Sequence, residues 1–302
     1  MSDILSQIEK LKKEKNAIIL AHYYQNADIQ DLADFVGDSY FLSEKARDSK
    51  ADYIIYCGVK FMAESAKILS PNKRVFFPAY ANAECCMEYM ATPTKVQALK
   101  EEYPEAKVVC YINSSSEVKA LSDACCTSSS AEKIVNNIDA DKIIFVPDKN
   151  LGSYIQEKTD KEIILFDGCC NVHDKVTPEH INEYKNKYDG IEVVAHPECR
   201  KEVRDLSDYV GSTSGILNYV KNSDKKEFLI VTEKGIAHEL YKQNPDKKFH
   251  FINMICNSMK KIFPETILEA LQEEKYEIFV DEDIIQKSKK SLDNMLLLSK
   301  GE

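Results

Sequence analysis

Three of the ten cysteines in this 302-residue chain recur at nearly equal steps: Cys85, Cys170 and Cys256, 85 and 86 residues apart. Each sits in a loop after an apolar run, in Ala83-Glu84-Cys85-Cys86-Met87, Asp167-Gly168-Cys169-Cys170-Asn171 and Met254-Ile255-Cys256-Asn257. A single buried cysteine is ordinarily inert core filling. Three thiolates converging on one point are a soft metal site, and thiolate ligation from three directions suits an iron–sulfur cluster whose fourth iron has no protein ligand and acts as a Lewis acid. The competing metal reading is a Cys3His zinc site using His173. It ranks lower because Cys85 and Cys256 are remote singletons, whereas structural zinc sites draw on close ligand pairs. The doublets Cys85-Cys86, Cys125-Cys126 and Cys169-Cys170 leave open which member faces inward, although the even step favours Cys85 and Cys170. Cys57, Cys110 and Cys199 read as packing residues.

Other groups keep the same period. His22, Tyr111 and His196 follow apolar runs 89 and 85 residues apart, each with a second polar residue two positions on: Tyr24, Asn113 and Glu198. Ser39, Ser128 and Thr213 repeat those steps within Asp38-Ser39, Thr127-Ser128-Ser129 and Ser212-Thr213-Ser214. One such hydroxyl cluster at a helix start is ordinarily an N-cap. Three in register make a cradle for phosphate or carboxylate that needs no lysine. Proton donors, acceptors and a carboxylate gathered around a metal are the inventory of a multi-step dehydrating condensation.

The elements that must position these groups alternate between strand and helix. Ala17–Ala21, 107–110 and 192–195 are continuous apolar runs of buried parallel-strand type, and 52–56, 75–77, 142–146, 162–166, 227–231 and 249–252 are further strands. Helical patterns are expected over 28–35 and 59–69, with two more near 265–273 and 284–298; Leu292, Met295 and Leu298 of the last should pack back onto the body. The expected fold is α/β: three homologous three-layer α/β/α domains with short parallel sheets, in pseudo-threefold symmetry around a central active site. The units are expected at 1–90, packed by the C-terminal helix, at 91–174, and at 175–302 with the C-terminal extension. Ligands collect outside the carboxyl ends of such strands, where every group named above stands.

The net charge of -10 argues against a nucleic-acid partner, since phosphate-backbone binding needs a basic stripe. No apolar segment approaches a membrane span, and the N-terminus lacks a basic region and an apolar signal core, so a cytoplasmic location is expected. In a long chain of this kind ten cysteines read as reduced thiols or metal ligands rather than as a disulfide framework.

At Leu20-Ala21-His22-Tyr23-Tyr24-Gln25, Asp34-Phe35-Val36-Gly37-Asp38-Ser39, Tyr111-Ile112-Asn113, Cys126-Thr127-Ser128-Ser129, Cys170-Asn171-Val172-His173, His196-Pro197-Glu198-Cys199, Tyr209-Val210-Gly211-Ser212-Thr213 and Cys256-Asn257-Ser258-Met259-Lys260 the chain resembles the quinolinate synthases of de novo NAD biosynthesis. The resemblance covers essentially the whole chain. It implies one 4Fe-4S cluster bound by Cys85, Cys170 and Cys256, and condensation of iminosuccinate with dihydroxyacetone phosphate to quinolinate, phosphate and two waters. It further implies functional coupling to an L-aspartate-oxidising enzyme. Substrate-binding positions carried over are His22, Ser39, Tyr111, Asn113, Ser128, His196, Glu198, Ser212 and Thr213. Glu198 is the candidate base, with Tyr24, Tyr111 and His196 as further proton carriers. Cys86 stands where the family often has proline, and Cys169 where an aromatic residue is common; whether Cys86, Cys125, Cys126 or Cys169 forms a regulatory disulfide is left open. Two enzyme classes of similar plan, diphthamide-synthesis-type proteins and a reductase of the isoprenoid pathway, do not share the 196–198 and 209–213 motifs. A non-catalytic iron or redox sensor would need a partner-binding or nucleic-acid surface, and the acidic composition shows no basic one.

Overall fold

The computed structural model describes residues 2–300. Met1, Gly301 and Glu302, which the expected first and third units include, lie outside them. Twelve strands form three four-stranded parallel sheets among the described residues. The first holds β1 (Ala17–His22), β2 (Phe35–Gly37), β3 (Tyr53–Cys57) and β4 (Arg74–Phe76); the second β5 (Lys107–Tyr111), β6 (Ala124–Cys126), β7 (Lys142–Val146) and β8 (Glu162–Leu165); the third β9 (Glu192–Ala195), β10 (Tyr209–Val210), β11 (Glu227–Val231) and β12 (Lys248–Phe251). Their spatial orders are β2-β1-β3-β4, β6-β5-β7-β8 and β10-β9-β11-β12, one topology three times over. The central strands β1, β5 and β9 are almost wholly buried, as strands covered by helices on both faces must be. In each sheet the strand order reverses beside the first strand, and that opens a crevice at the strands' carboxyl ends.

One side chain closes the same turn in every unit. Asp34, Asp123 and Asp208 accept the backbone N–H of Ile19, Val108 and Val193 at 2.7, 2.9 and 2.8 Å. This explains why the helix expected over 28–35 stops three residues early, spanning Ala27–Leu32: Asp34 is bound back to β1 and Phe35 opens β2. The helices over Lys60–Leu69, Pro264–Glu273 and Glu282–Leu298 lie where periodicity places them.

The C-terminal helix Glu282–Leu298 buries Leu292, Met295 and Leu296 against the second unit and the helix Lys60–Leu69 of the first. Ser291 Oγ donates to Lys119 O at 2.8 Å and Asn294 Nδ2 to Asp123 O at 2.8 Å. Just before it, Ile278 N bonds Val75 O at 2.8 Å and Arg74 pairs with Glu274 and Glu277, tying the tail to β4. Among the described residues no helix is long and apolar enough to cross a membrane.

Candidate active site

The three strand-end faces meet at one cavity of about 370 Å³. Its lining takes in Cys85, Cys170 and Cys256 together with His22, Tyr24, Ser39, Tyr111, Asn113, Ser128, His196, Glu198 and Thr213. Ser212 is the one expected residue absent from it. Its Oγ accepts the N–H of Gly215 at 3.1 Å and caps the helix Thr213–Asn222, so the ordinary role of a helix-start hydroxyl accounts for it. Asp38 does the same for Phe41 N at 3.0 Å, which leaves the next residue, Ser39, facing the cavity.

The cysteine loops share a local geometry. Backbone N–H groups two and three residues on point at the sulfur: Met87 at Cys85, Val172 and His173 at Cys170, Ser258 and Met259 at Cys256. Such amides favour the thiolate that a metal needs, against burial, which pushes Cys170 and Cys256 up. Cys169 does not line the cavity, whereas Cys86 does. Cys86 shares a hydrogen bond with the Cys85 thiol, so that one of the pair is raised and the other lowered. The second loop depends on Gly168, where a Cβ would lie 2.5 Å from Pro147 O. Cys57, Cys110 and Cys199 are buried in the core, and Cys125 and Cys126 are buried on β6.

The histidines at the ends of β1 and β9 are set alike. Tyr24 N donates to His22 Nδ1 at 3.1 Å, and Glu198 N to His196 Nδ1 at 3.3 Å. An imidazole accepting at Nδ1 carries its proton on Nε2, so both present an N–H outward, that of His196 reaching Ser128 Oγ at 3.2 Å. Burial drives the pKa of each down to about 3, so both are neutral donors.

A buried hydrogen-bond chain then crosses all three units. Thr213 Oγ1 lies 2.8 Å from Tyr24 Oη, which lies 2.7 Å from Thr232 Oγ1. Thr232 Oγ1 is 2.9 Å from His173 Nε2, and His173 Nδ1 is 2.7 Å from Glu198 Oε2. Tyr111 Oη donates to Glu198 Oε1 at 2.6 Å. Burial pushes Glu198 up, but the adjacent histidines and the His173 and Tyr111 donors outweigh it and hold the carboxyl below its ordinary range. Burial keeps Tyr24 and Tyr111 protonated.

Sequence reasoning missed Thr232 altogether and met His173 as half of a zinc pair and as the end of the 170–173 motif, with no role in proton transfer. Thr232 follows β11 directly, one residue before the buried Glu233; its chemistry is unremarkable without its neighbours. Cys170, His173 and Glu198 bring donor atoms within 4.8 Å of one another, a group able to hold a metal ion.

Residues 6–297 match the family model described as quinolinate synthetase A protein, NadA. The chain is 55% identical over 296 residues to the quinolinate synthase of Clostridium perfringens, covering 97% of this chain and 98% of that one. It is 53% identical over 302 residues to the enzyme of Clostridioides difficile, with 99% of each covered, and 49% identical over 299 residues to that of Caldicellulosiruptor saccharolyticus, with 98% of each covered. A match of this length and identity, on a fold whose three strand-end faces meet at one polar, thiol-lined cavity, places the chain in the quinolinate synthase family.

Proposed function

We propose that this enzyme condenses iminosuccinate with dihydroxyacetone phosphate to quinolinate, phosphate and two waters, with a 4Fe-4S cluster held by Cys85, Cys170 and Cys256. The carrying observation is that these three thiols, one from each unit, line one cavity in equivalent turns with amides aimed at the sulfurs. The donor set suits the group. His173 Nδ1 lies 2.7 Å from Glu198 Oε2 and 3.3 Å from Cys170 Sγ. What favours the thiols over a mixed site on Cys170, His173 and Glu198 is that one cysteine comes from each unit. When bound, such a cluster supplies an iron without a protein ligand, a Lewis acid for a substrate oxygen.

The rest is the work of side chains. Iminosuccinate brings two carboxylates and dihydroxyacetone phosphate a phosphate, and no lysine is needed to hold them. The Nε2–H groups of His22 and His196, the amide of Asn113 and the hydroxyls of Ser39, Ser128 and Thr213 donate to those oxygens from three sides. Ring closure requires protons to leave carbon and nitrogen and to reach departing oxygen. Glu198 is the acceptor: it is an anion at neutral pH, lines the cavity, and is held by Tyr111 and His173. Tyr24, kept protonated, is a donor that Thr213 can recharge through the hydrogen bond they share. Burial of the chain keeps bulk water from supplying protons at random. Iminosuccinate would come from an enzyme that oxidises L-aspartate.

Iron and sulfide analysis of anaerobically purified protein tests the proposal. About four irons and matching sulfide per chain are expected, the content of one such cluster. One tightly held zinc without sulfide would end the cluster reading.

A further inference from the structure

We propose that Glu88, Asp148 and Glu233 are positioning residues, each fixing one cysteine turn by accepting the backbone N–H of the cysteine that carries the cluster. This rests on the cluster reading above. Cys85 N donates to Glu88 Oε1 at 2.7 Å, Cys170 N to Asp148 Oδ2 at 2.8 Å and Cys256 N to Glu233 Oε1 at 3.2 Å. Asp148 and Glu233 are fully buried and stand at equivalent places, each two residues past the end of a strand, β7 or β11. The equivalent place after β3 is Val59, which has no acceptor, and there Glu88 supplies the carboxylate from within the turn itself.

A second bond accompanies each of these. Lys60, Lys149 and Lys234, one residue past Val59, Asp148 and Glu233, donate their backbone N–H to Ala83, Gly168 and Met254, each two residues before a cysteine, at 3.1, 2.8 and 2.9 Å. The strand-end loop therefore grips the cysteine loop twice. The cysteines precede short turns rather than sitting on regular elements, so this grip sets where each sulfur points.

The bland alternative for Asp148 is a helix cap, and it is one: Oδ1 accepts Leu151 N at 2.8 Å. A serine or asparagine would serve there equally well. Only a carboxylate offers a second acceptor oxygen, and that oxygen is the one on Cys170 N. Glu233 divides its work in the same way, with Oε2 on Gly235 N at 2.6 Å and Oε1 on Cys256 N, near the Lys260 ammonium at 3.1 Å.

Asp148→Asn and Glu233→Gln keep size and one acceptor while removing the second. Glu88→Ala, on a half-buried turn, removes the one acceptor that Glu88 brings to Cys85 N and is a third variant whose folding is least at risk. Asp167→Asn is the control, since Asp167 is a carboxylate in the same loop with a 92% exposed side chain and no bond to a cysteine amide. The readout is the rate at which a ferrous chelator strips iron from anaerobically loaded protein, together with the cluster's reduction potential. Loss of a partner that orients a ligand typically costs 10–100-fold in metal affinity. Iron release from the three clasp variants should accelerate by about that factor, and their potentials should shift because each cysteine amide has lost its acceptor and the turn that aims the sulfur is loosened; Asp167→Asn should match the wild type. If the folded clasp variants release iron at the control's rate with unchanged potential, the inference is overturned while the cluster reading stands. If the wild type takes up no iron and sulfide, both fall.

Discussion

At the scale of single residues Glu198 is the proposed acceptor, and its environment says what kind of acceptor it would be. A carboxyl held below its ordinary range by two donors is ionised near neutrality but is a weak base, so as a proton acceptor it would work once substrate displaces one of those donors. Glu198→Gln keeps the shape and removes the charge, so quinolinate formation should fall by the 10²–10⁴-fold of a lost general base while iron content is unchanged. Near-normal turnover would move the acceptor role to Tyr24, Tyr111 or His196. The cysteine doublets divide at the same scale. Replacing Cys85, Cys170 or Cys256 by serine should abolish cluster assembly, since a hydroxyl is a poor substitute for thiolate on iron, whereas Cys169→Ser and Cys86→Ser should leave iron content near normal. The reverse pattern in either doublet would shift the ligand by one position. His22, Tyr111, Glu198 and their partners could be read in advance because the repeat period carries them to the same strand end. Ser212 could not be told from Thr213 by spacing, because a cap and a cavity hydroxyl are adjacent residues of one turn. Asp148 and Glu233 stood at the repeat spacing too, but isolated acidic residues after strands carry no chemistry until the amide they bind is known.

Elements were legible where burial is strong. The strands show as apolar runs because helices cover both faces, and Glu282–Leu298 shows because it buries a stripe. The linking helices Pro93–Glu102 and Pro178–Lys187 did not show, since the first buries only Val96 and the second only Ile181. What no periodicity reveals is how closely the loops between elements approach. Gly168 lies where the second cysteine loop passes the exit of β7, and a methyl group there would strike Pro147 O. Gly168→Ala should destabilise the fold by about 1–3 kcal/mol, the usual penalty for overpacking, and loosen Cys170 at the same time. Urea unfolding and iron content measured on the same sample check this. Unchanged stability with full iron would show that the loop relaxes without cost.

The whole molecule is three weakly similar units sharing one polar interior, and that interior gives its stability a pH dependence. His22 and His196 are held at about 3 by burial, whereas an unfolded histidine titrates near 6.5. Between those values the unfolded chain binds more protons than the folded one, so stability falls as the pH drops below about 6.5, by up to about 1.4 kcal/mol per pH unit for each group. Glu198, depressed in the folded state, adds to the loss only below the ordinary carboxyl range. Glu88 and Asp148, pushed up by burial, oppose the histidine loss over its range, so the histidine contribution is read as a difference. As the pH falls from 7 to 5 the urea midpoint of His22→Gln should gain on that of the wild type, and two midpoints that run parallel with pH would mean that the interior admits water. The tail that ties β4 and the second unit together binds the assembly from outside, while the cavity where the units meet makes it an enzyme. The most direct measurement of that claim is quinolinate formed per chain when anaerobically purified, iron-loaded protein is given iminosuccinate and dihydroxyacetone phosphate. Repeated turnover that needs both substrates and stops when a chelator removes the iron is the predicted result; a fully loaded, folded protein that forms no quinolinate from the two would contradict the account.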